Sequence, residues 1–224
     1  MTSNELSETI RYHLGELELA SNPDDPRSIA PVFDSEHKVI LDIGCGIGQT
    51  FVAAGIAEDD SRLLIGIDNE IEPLLYGREE FTNVKFINAL AGQLPIESGS
   101  VDMVVSRVTI PYTNIPVTFQ EINRVLKPGG EIWMTLHSTR VLLNPLLKSF
   151  RAVSARGVLS RSFFLFNGFL LHCFGILLPL PGSGAYESFQ TNSGIRRLLK
   201  KNNFDQIVIK RDTHFLVTGR KRID

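Results

Sequence analysis

Five short, almost uninterrupted apolar runs recur between residues 38 and 136: KVILDI at 38–43, RLLIGI at 62–67, VKFIN at 84–88, VDMVVS at 101–106 and EIWMTL at 131–136. Helical spacing fills the intervals at 48–56, 70–80 and 115–126. A strand that is apolar on both sides needs cover on both faces, and a helix between consecutive strands supplies that cover and the crossover. The pattern predicts a parallel sheet with helices on both faces. The last two runs break it. FDQIVIKR and THFLVTGR have only Asp212 between them, too little chain for a crossover, so they should pair antiparallel. Ahead of the first strand, Leu6, Ile10, Leu14, Leu17 and Leu19 fall near one side of a helix over 5–20, and the proline-rich SNPDDPRSIAP follows as a linker.

With 224 residues, 43% of them hydrophobic, the chain can bury one large core with room for an insertion. The start, MTSNELSETI, has neither the basic cluster nor the apolar stretch of a secretory leader. Cys45 and Cys173 form no metal-ligand spacing and no disulfide framework. Both thiols are expected to be packed and reduced, no metal is expected, and the setting is read as cytoplasmic. Charge is segregated. Residues 1–131 hold 9 basic and 21 acidic residues, and 132–224 hold 14 and 4. No acid occurs from Ile132 to Tyr186, a span containing Arg140, Lys148, Arg151, Arg156 and Arg161. Two explanations stand: an anionic partner, or attraction between the two halves.

Chemistry first becomes legible at VILDIGCGIGQT, residues 39–50. A strand that enters a helix through glycines aims backbone N–H groups and the positive helix end at a ligand. The dinucleotide fingerprint G-x-G-x-x-G needs a glycine where this chain has Gln49. Asp68, 20 residues past Gly48, closes the second strand, where any ribose-bearing ligand calls for a carboxylate. By itself the turn indicates a nucleoside without saying which.

Taken in order and spacing, LDIGCGIG, GID, QLPIESGSVDMVVS and EINRVLKPGGEIWM closely resemble the class I S-adenosylmethionine-dependent methyltransferases. Within that class they are most similar to the branch typified by ubiquinone and menaquinone biosynthesis methyltransferases. The resemblance covers residues 36–136. It implies an α/β, Rossmann-like three-layer sandwich with a seven-stranded, mostly parallel sheet whose last strand is antiparallel, and S-adenosylmethionine as cofactor. It further implies that Asp42, Gly44, Gly46 and Gly48, with the backbone of Cys45, form the turn that meets the methionine part. Asp68 matches the acid that holds the ribose hydroxyls, and Asn69 follows beside the adenine. Ser106 and Arg107 match the end of the fourth strand, facing the reacting methyl. Asp102 and Lys127-Pro128-Gly129-Gly130 match as structural residues, the latter a turn that launches strand five. One position departs. Where the branch has an adenine-binding acid this chain has Leu90, so that the backbone of Leu90 and Ala91 is left to contact the ring.

A methyl acceptor that carries a proton benefits from a base, and three candidates fall near the carboxyl edge of the expected sheet: His137 after strand five, Tyr112 after strand four and His13 on the N-terminal helix. Tyr12 could face a sulfonium through its ring. His172 and His214 are further possibilities.

The domain divides, on this reading, into an N-terminal helix and linker covering the site (1–35), a cofactor-binding core (36–138), a helical lid inserted after strand five (139–186) and a last helix with the strand hairpin (187–224). In the insertion, Phe163–Leu178 is apolar except for Asn167, Gly168, His172 and Gly175. On a helix Gly168, His172, Gly175 and Pro179 would form a narrow small-or-polar stripe. The run is short for a membrane span. It can cap the pocket, form a homodimer interface, or rest on an anionic membrane through 139–182. The function read from the sequence is methyl transfer from S-adenosylmethionine to a small, lipophilic molecule, with nucleic acid not expected. An RNA or protein methyltransferase, and a non-catalytic interaction or assembly protein of the same fold, are the alternatives.

Overall fold

The computed structural model of the protein describes residues 6–137, 155–182 and 184–223. Seven strands form one sheet: β1 (Val39–Ile43), β2 (Leu63–Asp68), β3 (Val84–Asn88), β4 (Val101–Arg107), β5 (Leu126–Leu136), β6 (Phe204–Arg211) and β7 (Phe215–Lys221). Their spatial order is β3-β2-β1-β4-β5-β7-β6. The first five run parallel, and β7 lies antiparallel between β5 and β6. The strand order reverses at β1 and β4, and the carboxyl edge at such a reversal is the usual place for a ligand in such sheets.

The helices are α1 (Glu8–Ser21), α2 (Gln49–Ala53), α3 (Ile71–Glu80), α4 (Ile115–Val125), α5 (Ala155–Phe174) and α6 (Asn192–Lys201). On one face of the sheet Leu41, Val104 and Met134 pack with Phe119 and Ile122 of α4 and Ile195 and Leu199 of α6. On the other, Ile40, Leu64, Val105 and Trp133 pack with Phe51 of α2 and Leu74 of α3. Each such side chain stabilises the fold by about 1.5–3 kcal/mol through burial. Helix α1 begins at Ser7, whose hydroxyl accepts from the Ile10 N–H at 3.1 Å, and it lies over α2 and α3. Only Ile10 and Ala20 of α1 are fully buried, so this cover is lightly anchored.

Three expectations are corrected. Strand β5 starts at Leu126, so KPGG is not a turn ahead of the strand. Leu126 already pairs with Val101 across a bulge, and Gly129 absorbs the kink at φ +77°. Helix α2 is shorter than the apolar pattern, because Gly55 turns left-handed (φ +71°) just past it. Cys173 is exposed, not packed. Asp102 is structural, as expected: it joins three strands by accepting from Lys127 Nζ at 2.6 Å and from the N–H groups of Val39 and Lys38 at 2.8 and 3.1 Å.

Of the insertion at 139–186, residues 139–154, with Arg140, Lys148 and Arg151, lie outside the described residues. Helix α5 stops at Phe174, where Gly175 adopts φ +68°, so Pro179 is off the helix. The small residues face inward all the same. A Cβ on Gly168 would lie 2.0 Å from the Phe189 ring, and one on Gly194 of α6 would lie 3.4 Å from His172 Cα. Asn167 is fully buried and clasps the following segment. Its amide donates to the carbonyls of Leu178 (2.8 Å) and Glu187 (3.1 Å), and its oxygen accepts from the Leu178 N–H at 3.0 Å. The opposite side of α5 leaves Leu165, Phe166, Phe169 and Phe174 exposed. Among the described residues no helix is long and apolar enough to cross a membrane.

Candidate functional site

At the carboxyl end of β1 the chain makes three left-handed glycines in five residues, with φ of +76° at Gly44, +53° at Gly46 and +93° at Gly48. The turn is pinned from behind, because the N–H groups of Gly44 and Cys45 both donate to the Ile67 carbonyl of β2, at 2.7 and 3.1 Å. It is also crowded from in front. A Cβ on Gly44 would fall 1.9 Å from Thr109 Oγ1, and one on Gly46 would fall 2.4 Å from His13 Nδ1. Backbone conformation and space together restrict both positions to glycine.

Asp68 ends β2 beside this turn. Its Oδ2 accepts from the Gly46 N–H at 2.9 Å and its Oδ1 from the Glu70 N–H at 3.1 Å. Asn69 follows in the same loop, and the Asn88 amide donates to the Asp68 carbonyl at 3.0 Å. Leu90, strongly exposed, and Ala91 follow β3 on the same edge. Ser106 is buried, and its hydroxyl donates to the Ile43 carbonyl at 2.8 Å, tying β4 to the start of the glycine turn.

Two charged groups lie beneath. Asp42 is completely buried, and neither carboxylate oxygen has a hydrogen-bond partner. Burial pushes its carboxyl up to about 7, drawn back in part by the nearby Thr50 hydroxyl and Arg107. Arg107 ends β4 with its side chain only 11% exposed; its Nη1 is buried without a partner, and its Nη2 is 3.9 Å from Glu16 of α1. Cys45 is buried, and burial with the carboxylates of Asp42 and Asp68 holds its thiol well above the ordinary range. Its thiol is therefore inert, and only its backbone takes part in the turn.

The three candidate bases surround this cluster without forming one hydrogen-bonded set. His13 Nδ1 sits 3.4 Å from Gln49 Nε2 and covers Gly46. Tyr112 and His137 stack edge to face, with ring centroids 5.0 Å apart. Burial lowers His137 below its ordinary pKa, which keeps it neutral and able to accept a proton near pH 7. Tyr12 is exposed, within electrostatic reach of Glu16, Tyr112, Arg107 and Glu70. His172 is committed elsewhere, 2.7 Å from Thr191 Oγ1. His214 lies in the β6–β7 turn, just before Phe215, which pairs with Leu136 at the carboxyl end of β5.

Gln49 and Glu16 enter the site although neither was singled out as a ligand-facing residue. Gln49 fixes the turn through its Oε1, which accepts from the Ile47 N–H at 3.1 Å. For Glu16 a signal existed: it lies four residues after Tyr12 and three after His13, the spacings of neighbours on a helix surface.

Residues 40–130 match a family described as "Methyltransferase domain". Over those residues the chain is similar to the S-adenosylmethionine-dependent methyltransferases. A demethylmenaquinone methyltransferase of Staphylococcus aureus is 36% identical to it over 98 residues, 41% of this chain and 40% of that protein. A malonyl-[acyl-carrier protein] O-methyltransferase of a Marinomonas species is 34% identical over 104 residues, 44% of this chain and 37% of that protein. The chain thus spans about two-fifths of the length of the curated relatives it matches. A Methanosarcina mazei S-adenosylmethionine-dependent methyltransferase shares the fold, with a TM-score of 0.57 and 21% identity over 86% of this chain and 96% of the other. So does a Haloferax volcanii methyltransferase solved with the Trm112 methyltransferase activator, at a TM-score of 0.62 and 16% identity over 96% and 94%.

The methyltransferase domain has residues that fit S-adenosylmethionine. Gly46 offers a turn with no Cβ, Asp68 retains lone pairs for ribose hydroxyls, and the unpartnered carboxylate of Asp42 suits a ligand bearing an ammonium group. Leu90 presents an exposed apolar side chain with no acceptor atom on the same edge.

Proposed function

We propose that this protein transfers a methyl group from S-adenosylmethionine to a small, lipophilic acceptor. The observation that carries the reading is the junction of the two motif loops, in which Asp68 Oδ2 accepts the Gly46 N–H at 2.9 Å. That bond holds the glycine turn and the ribose acid as one unit. The bound cofactor would supply an electrophilic methyl on a sulfonium. The protein's part is alignment and exclusion of water, and holding reactants in attack geometry contributes roughly 7–11 kcal/mol. Gly44, Gly46 and Asp68 would hold the cofactor, with Asn69, Leu90 and Ala91 around its base.

Removal of a proton from the acceptor falls to His137, kept neutral by burial and oriented by the Tyr112 ring. His13 closes the other side, where α1 lies across the turn. The lipophilic acceptor is supported by the exposed Tyr112 ring, which packs on His137. The printed names of the quinone and acyl-carrier relatives accord with it. Residues 155–182 fit a lid: Asn167 fixes the segment behind α5, and the Tyr186 hydroxyl accepts from the Asn114 amide at 3.3 Å next to Tyr112.

The test is incubation with methyl-labelled S-adenosylmethionine and fractionated host extract. Label is expected in the lipid or small-metabolite fraction. Label in RNA or protein overturns the acceptor class, and absence of transfer, with the cofactor bound, overturns the activity.

A further inference from the structure

Arg107 is expensive to place where it is. Its side chain is only 11% exposed, Nη1 is buried with no hydrogen-bond partner, and the nearest carboxylate able to pair with it, Glu16 Oε2, stands at 3.9 Å from Nη2. That separation is beyond a hydrogen bond. Asp42 is close enough to be electrostatically coupled to Arg107, yet its oxygens are not bonded to it. A folded chain pairs its buried charges as a rule, because an unpaired one costs several kcal/mol. Here a fork of donors is presented at the carboxyl end of β4, beside the glycine turn, and answered only loosely from α1.

We propose that Arg107 is a receptor for the carboxylate of a bound ligand, and that Glu16 is its provisional partner, displaced when that ligand enters. The fork geometry of a guanidinium matches a carboxylate in two parallel hydrogen bonds. Glu16 has the right charge, but on a helix lightly anchored by Ile10 and Ala20. Ligand entry therefore breaks a weak contact and makes a strong one, and it releases α1 at Glu16. The inference rests on the methyltransferase reading and deepens it. The carboxylate has two sources: the amino-acid end of the cofactor, or an acidic group on the methyl acceptor.

Calorimetry on wild type, R107M, R107K and E16Q distinguishes them. Three probes are used: S-adenosylhomocysteine, 5′-methylthioadenosine, which lacks the amino-acid end, and octanoate added to protein saturated with S-adenosylhomocysteine. If the cofactor supplies the carboxylate, R107M weakens S-adenosylhomocysteine about 10- to 100-fold and leaves 5′-methylthioadenosine unchanged. If the acceptor supplies it, R107M binds both nucleosides as wild type does and loses octanoate. In either case E16Q tightens the affected probe several-fold, and R107K recovers only part of the loss. Circular dichroism and thermal melts establish that each variant is folded, and E16Q, at a half-exposed position, keeps the test open should R107M not fold. Unchanged binding of all three probes by folded R107M, or by E16Q where R107M does not fold, overturns the role of Arg107 alone. A wild type that binds neither nucleoside overturns the methyltransferase reading and this proposal with it.

Discussion

Asp68 Oδ2 accepts the backbone N–H of Gly46 at 2.9 Å, across 22 residues of sequence. One carboxylate thus holds the glycine turn in shape and stands ready for a ligand. Asp68→Ala should weaken S-adenosylhomocysteine binding by about 1.5–3 kcal/mol and also lower the melting temperature of the free protein. Asp68→Asn, which keeps an acceptor for Gly46, should recover most of the melting temperature and little of the affinity. Equal affinity of all three proteins in calorimetry would remove Asp68 from the site.

Gly46 and His13 are in contact through a space that only a missing Cβ provides. Gly46→Ala adds a side chain at φ +53°, costing about 1–2 kcal/mol for the backbone and more for the clash. In the His13→Ala background the clash with the imidazole is gone, leaving the backbone cost and the approach to Gln49 Oε1, 2.7 Å from the same Cβ. A double-mutant cycle in urea should give a coupling of roughly 0.5–3 kcal/mol. Strict additivity would mean that α1 does not lie over the turn in solution.

Asp42 sets a pH dependence of the free protein. Burial holds its carboxyl at about 7 against an ordinary 3.8. Between those values the folded protein keeps a proton that the unfolded chain has lost, so stability falls as pH rises through that window. The effect is at most about 4 kcal/mol. His137, lowered by burial, has the opposite slope as pH falls below its ordinary value of 6.5, so the comparison needs Asp42→Asn as reference. Wild type should lose stability relative to Asp42→Asn from pH 5 to pH 8 in urea titrations. Parallel curves would contradict an unpaired carboxylate at this position.

Asn167 makes three hydrogen bonds from a fully buried amide. Asn167→Ala should cost about 2–4 kcal/mol, because it leaves backbone groups of Leu178 and Glu187 unpaired. Limited proteolysis should then cut first between residues 175 and 187. Cofactor affinity should be little altered, since the clasp is remote from the glycine turn. A variant as protease-resistant as wild type would show that the segment is held by other contacts.

The interior of the parallel core was readable because β1, β2 and β4 are buried on both faces, whereas the edge strand β3 alternates, with Lys85 exposed between Val84 and Phe86. VKFIN was read as 84–88 and is a strand over the same residues. The hairpin was half readable. Its short connection dictates antiparallel pairing, but nothing in two adjacent apolar runs says which one is interior. Contact with β5 decides that, and it is β7. KPGG misled because glycine and proline usually stop a strand, whereas here a bulge against Val101 accommodates them. In the candidate site, motif spacing singled out Asp42, Asp68 and Arg107, which fall at the carboxyl ends of β1, β2 and β4. Whether their charges are satisfied depends on which elements fold back over them. Glu16, 91 positions before Arg107 in the chain, could be matched to it only in three dimensions.

The interior position of β7 has a consequence for synthesis. A ribosome delivers β6 before the strand that must join it to β5, so a nascent chain paused at Arg211 carries an edge ribbon with no ladder to enter. Premature termination there removes a wall from the middle of the sheet, not its border. Both exposed flanks are then open to pairing with another copy, which makes truncated product a candidate for aggregation even though every cofactor loop has already been made.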